Sequence, residues 1–173
     1  MRTLEKRDDQ LERSLDAWKR GSLSVEEIQQ LAADLGAQDY EPGVSALLAL
    51  LDHNDRIVRY NAGVSLTFDM RYLLATGRLL RMLVEDTDED CRSMAAEGIG
   101  SMFRGTLDPG IVTALAKAAL EDPEEYVRNS AYLGLLRVNE SSLGRDFRVI
   151  DAGNVRVDPQ HVRAILNRIA SPN

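Results

Sequence analysis

Cysteine occurs once in this chain of 173 residues, at Cys91, so no disulfide framework holds the fold together. Histidine occurs twice, at His53 and His161, and so wide a separation beside a lone thiol argues against a zinc site. Aromatic residues make up 5% of the chain against 44% hydrophobic residues overall, a leucine- and alanine-rich mixture that favours helices over strands. The longest apolar run, residues 46–51, is far shorter than the roughly 20 residues that span a bilayer. The first fifteen residues are charged throughout and contain no apolar signal segment, so the expectation is a soluble, cytoplasmic chain without a membrane role. Acids outnumber bases 28 to 21, giving a net charge of −7 and a pI near 4.9. That balance argues against a direct electrostatic grip on nucleic acid. Glycine-rich phosphate loops, Gly-x-Ser-x-Gly and His-Glu-x-x-His are all missing, and Cys91 reads as an inert core thiol. No catalytic residue, cofactor or metal ligand is expected.

What the chain does have is helical periodicity. Leu4, Leu11, Leu15 and Trp18 form a narrow apolar stripe on a charged helix over about 3–20. Gly21 ends it in a left-handed turn. Ser24 and Glu27 then form a Ser-x-x-Glu capping box, and Val25, Ile28, Leu31, Ala32 and Leu35 line the inner face of a second helix that Gly36 closes. This pair reads as an end cap, with docking of a partner helix on the thin stripe as the other reading.

Three segments then superimpose. The first runs Leu51-Asp52-His53-Asn54-Asp55-Arg56-Ile57-Val58-Arg59, the second Val84-Glu85-Asp86-Thr87-Asp88-Glu89-Asp90-Cys91-Arg92, the third Leu120-Glu121-Asp122-Pro123-Glu124-Glu125-Tyr126-Val127-Arg128. Each follows an apolar helix, and each leads into an alanine (Ala62, Ala95, Ala131) and a further small residue (Ser65, Gly98, Gly134). The acid at Asp55, Asp88 or Glu124 is placed to cap the second helix of a hairpin. The arginine at Arg59, Arg92 or Arg128 shares a face with it and can reach the turn of the next hairpin. The repeated small residue predicts close backbone packing between neighbours.

The pattern Asp-Pro-x-x-x-Val-Arg-x-x-Ala-x-x-x-Leu at 122–135 resembles a HEAT repeat, of the bacterial kind also called PBS-lyase HEAT-like. The other copies keep an acid at Asp52 and Asp86 but lack the proline, and Cys91 stands in place of valine. The resemblance implies an all-α fold, a short right-handed α-solenoid of antiparallel helical hairpins. It would form one domain over 1–173, with an amino-terminal cap at 1–42, three repeats at 43–138 and a carboxy-terminal cap at 139–173. It also implies a non-enzymatic scaffold or adaptor that binds another protein on the concave face of its second helices, as a monomer or weak homodimer.

Helical spacing puts Arg56, Tyr60, Val64 and Arg71 of the first repeat on that face. The second and third repeats add Glu89, Ser93, Glu97 and Arg104, then Glu125, Asn129, Tyr132 and Leu136 to the same face. Packing against a neighbouring hairpin is the alternative for Leu133 and Leu136. The turns also collect eleven of the 28 acids, which serve as caps and solubilising charge or else form an edge for a basic partner, as in an inhibitor or immunity-type protein. The HEAT-like di-iron hydroxylases carry His-Glu pairs that are missing here, and the HEAT-like glycosylases resemble a basic clamp richer in aromatics. A bilin-lyase-like role stays open, since no short motif excludes it.

The tail breaks the helical period over 141–157, as a loop or short extended pair. Asp158-Pro159 then starts a last helix through about Ala170, a degenerate closing unit.

Overall fold

The computed structural model describes residues 2–139 and 155–170, with side chains from residue 8 onward. Every regular element among them is helical. They fall into two compact units, Met1–Ala75 and Thr76–Asn173, a division that cuts the run of three repeats after its first copy.

In the first unit, α1 (Arg2–Lys19) and α2 (Val25–Ala37) form a hairpin. Gly21 takes φ 66° and donates its N–H to the Trp18 carbonyl at 2.8 Å, which closes α1 as expected. The capping box forms: the Ser24 N–H donates to Glu27 Oε2 at 2.8 Å and the Glu27 N–H to Ser24 Oγ at 3.3 Å. Leu11 and Leu15 are buried, as are Leu31, Ala32 and Leu35 of α2, so the thin stripe is used for packing. Two details differ. Val25 is exposed, and α2 runs through a buried Gly36 to Ala37, leaving Asp39 to make the left-handed turn at φ 48°. The next hairpin is α3 (Val44–Leu50), entered through a 3-10 turn that holds Pro42, and α4 (Arg56–Val64). One π-helical turn, Ser65–Asp69, extends α4.

The second unit holds α5 (Thr76–Glu85), α6 (Glu89–Met102), α7 (Pro109–Glu121), α8 (Glu125–Val138) and α9 (Pro159–Ala170). Asp108 caps α7 through the Ile111 N–H at 3.0 Å, with Pro109 in the first turn, where a missing N–H costs nothing. The loop after α6 satisfies the end of α8, as the Gly105 and Leu107 N–H groups donate to the Arg137 and Val138 carbonyls at 3.0 and 3.2 Å. Residues 140–154 hold most of the expected loop or extended pair and lie outside the described residues. Asp158 starts α9 by accepting the Gln160 N–H at 2.9 Å, and Val162 and Ile165 are buried where α9 packs on α7.

Within each unit, the second helix of one hairpin lies beside the second helix of the next, and both units use the same contacts. In the first unit Gly36 of α2 faces Ser65, whose hydroxyl donates to the Ala32 carbonyl at 2.8 Å. In the second unit Gly100 of α6 faces the Gly134 backbone, and a Cβ on Gly134 would stand 2.6 Å from the Ala96 carbonyl oxygen. Counted from the N-caps Ser24, Asp55, Asp88 and Glu124, Gly36 matches Gly100, Ser65 matches Gly134, and Ala32 matches Ala96. The polar contacts one turn away also correspond: Asn61 Nδ2 donates to the Gln29 carbonyl at 3.1 Å, and the Ser93 and Ser130 hydroxyls meet at 2.7 Å. Small residues thus set the spacing of the paired helices, as the repeated Ser65, Gly98 and Gly134 foretell for two of the three.

Candidate interaction surfaces

The motif residues build the turns. Each arginine folds back to grip carbonyls of the turn before its own helix: Arg59 donates to His53 and Asn54 at 2.9 and 3.0 Å, Arg92 to Asp86 at 2.9 Å, and Arg128 to Asp122 and Pro123 at 2.7 and 2.8 Å. Arg92 also reaches the next turn, as expected for a stacked hairpin. Its Nε and Nη2 donate to the two Asp122 oxygens at 2.9 and 3.1 Å, and the two side chains are only 10% and 7% exposed. Those bonds to Asp122 hold the Arg92 pKa above its ordinary value against the opposing effect of burial, and Glu89 and Glu124 add to the shift.

Asp55 and Asp88 cap their helices through the Val58 and Cys91 N–H groups at 3.0 and 3.1 Å. The Val58 N–H, helped by the Gln29 side-chain amide, lowers the Asp55 pKa. Glu124 does not cap with its side chain, because the extra methylene carries its carboxylate past the N–H groups that aspartate reaches. The turn register also differs from the expected one at Asp52. The residue equivalent to Asp86 and Asp122 is His53: His53 Nδ1, Asp86 Oδ1 and Asp122 Oδ1 accept the N–H of Asp55, Asp88 and Glu124 at 3.0, 3.0 and 2.9 Å.

The second-helix face separates into two parts. On α4, Arg56 is exposed, Tyr60 is 40% exposed and Val64 half-buried, and Arg71 is exposed just past the π-helical turn. In the second unit Glu89, Arg104 and Glu125 are exposed near the helix ends, and Glu125 meets Arg156 at 3.6 Å. Ser93, Asn129, Tyr132 and Leu136 are buried, and Leu133 with them. Ser93 meets Ser130 of α8. The Tyr132 hydroxyl bonds His161 Nδ1 of α9 at 2.9 Å, and burial together with Asp158 raises its pKa. Glu97 is half-buried, taking the Ser130 hydroxyl at 3.1 Å and Arg137 at 3.5 Å. These residues therefore hold helices to one another. α8 carries apolar residues on all sides, the sequence mark of a helix buried all round.

On α4 and its extension, two exposed apolar residues lie outside the expected set. Ile57 and Phe68 are 41% and 43% exposed. With Tyr60 and Val64 they recur at spacings of three and four residues, which makes one apolar stripe along α4 and its π-helical extension. That spacing is legible in the sequence once Val58 and Ala62 are taken as the buried side.

Among the described residues, no group of three or more His, Cys, Asp or Glu is arranged to hold a metal, and no helix is long and apolar enough to cross a membrane. Helical hairpins whose second helices pair through small residues place the chain in the α-solenoid class. Comparison with protein families then specifies which one: HEAT repeats match residues 44–136, more than half of the chain, and the chain belongs to that family. HEAT repeats generally mediate protein–protein interaction. No curated protein and no solved structure matches the chain.

Proposed function

We propose that this chain is a non-catalytic adaptor that binds another protein with the exposed face of α4. The apolar stripe of Ile57, Tyr60, Val64 and Phe68 carries the reading, because a monomeric surface rarely lines up apolar side chains along a helix without a use for them. Tyr60 supplies the kind of aromatic anchor that dominates binding energy, and Arg56 and Arg71 stand at the two ends of the stripe to set register. The partner contributes an apolar ridge or helix of its own.

The test uses the full chain carrying an affinity tag in the cells that make it. Proteins recovered with the wild type are compared quantitatively with those recovered by Tyr60→Ala/Phe68→Ala and by Thr113→Ala, an exposed control on α7. Recovery of a specific partner is expected to fall at least tenfold for the double variant alone, with unchanged circular dichroism. Equal recovery from all three proteins would refute the assignment.

A further inference from the structure

A second surface lies in the Thr76–Asn173 unit, on the first helices of its hairpins. Leu83 and Val84 at the end of α5, Ala114 and Ala118 on α7, and Pro123 in the following turn enclose an open groove of about 210 Å³. Val84 is an aliphatic side chain 64% exposed there. The groove sits where both helices reach their C-terminal ends, where the helix dipoles favour positive charge.

The side chains add to that bias. Glu121 lines the groove and Glu85 follows Val84 directly, both exposed. The two turns beyond them are drawn together by Arg92, whose charge Asp122 already offsets, with Glu89 and Glu124 close enough to act on the same guanidinium. Lys117, on the groove wall, and Arg81, one turn before Glu85, are the opposing cations. Both lie back from the turn end, so the charge runs from basic to acidic along the groove.

We infer that this groove takes a short basic segment of a partner protein. An aliphatic side chain or the methylene stem of a lysine or arginine lies on Val84, Ala118 and Pro123, and the cationic head reaches the carboxylates of Glu121 and Glu85. This surface adds to the α4 face and does not depend on it.

The probe is a fluorescein-labelled nonapeptide of alternating leucine and arginine, followed by fluorescence polarisation with the full chain. Serine–arginine and leucine–glutamate nonapeptides serve as comparisons. The leucine–arginine peptide is expected to bind at least tenfold more tightly than either. Val84→Asp is expected to weaken it about tenfold although it adds negative charge, Glu121→Gln to weaken it severalfold, and Tyr60→Ala to leave it unchanged. Undetectable binding, equal binding of the serine–arginine peptide, or binding kept or strengthened in Val84→Asp would overturn the proposal, the last two by reducing it to unspecific attraction of a polycation. Loss in Tyr60→Ala would move the site to α4 and overturn it as well.

Discussion

Arg92 ties two turns together, while Arg128, among the described residues, grips its own, and the difference is measurable. Arg92→Ala leaves the Asp122 carboxylate in a nearly buried place without its partner, a change that costs about 3 kcal/mol. Arg128→Ala removes two hydrogen bonds to half-exposed carbonyls and costs about 1 kcal/mol. Urea titration by circular dichroism of both variants checks the order. The cap at Asp55 predicts a pH effect. Its folded pKa lies below the ordinary 3.8, mainly through the bond from the Val58 N–H, so its contribution is complete above that ordinary value and is lost as the pH falls through the folded one. Trp18, the only tryptophan, reports on the first unit. The stability gap between wild type and Asp55→Asn, followed by its fluorescence, should be open at neutral pH and close as the pH falls below the ordinary carboxylate value of 3.8 and through the lowered folded one. A gap that does not change with pH would assign the cap no charge-dependent part.

The paired second helices predict opposite outcomes for glycines of similar sequence setting. Gly100→Ala would drive a methyl group into the Gly134 backbone, whose carbonyl oxygen is 2.8 Å from the new Cβ. Since backbone cannot move aside, α6 and α8 must separate at a cost of about 3 kcal/mol. Gly77→Ala meets open space in α5 and should stabilise by about 0.5 kcal/mol. Gly36→Ala should destabilise through Ser65, and Ser65→Gly should recover most of that loss, since the pair would then resemble Gly100 and Gly134. The small residue at Ser65, Gly98 and Gly134 is visible in sequence because it repeats; its counterpart at Gly36 and Gly100 is not, because the first copy lies in a hairpin without the Asp-x-x-Val-Arg signature. Hairpins and the caps at Ser24, Asp55 and Asp88 were legible because each is set by residues within one or two turns, whereas Glu124 and the turn register at Asp52 departed from the pattern. The exposure of Arg56, Tyr60 and Arg71 was legible on and just after α4, where one side is covered. The same reading failed at Ser93, Asn129, Tyr132 and Leu136, since periodicity records which side of a helix is buried first and not how many neighbours bury it.

At the scale of the molecule, HEAT-repeat membership indicates a general style of work, protein–protein interaction, and the place proposed for it is the exposed face of α4. The Met1–Ala75 unit carries its apolar stripe outward on α4, whereas the Thr76–Asn173 unit buries Ser93 and Asn129 at the position of Tyr60 and covers Tyr132 with α9. Under the proposed function, the partner is engaged through the exposed face of α4 in the first unit. Photo-crosslinking tests this most directly, with a benzophenone amino acid placed at position 60 and, as a control, at the exposed position 113, each irradiated in the cells that make the protein. The account predicts one discrete protein adduct from position 60 and none from 113. No adduct at 60, or the same adducts from both positions, would contradict it.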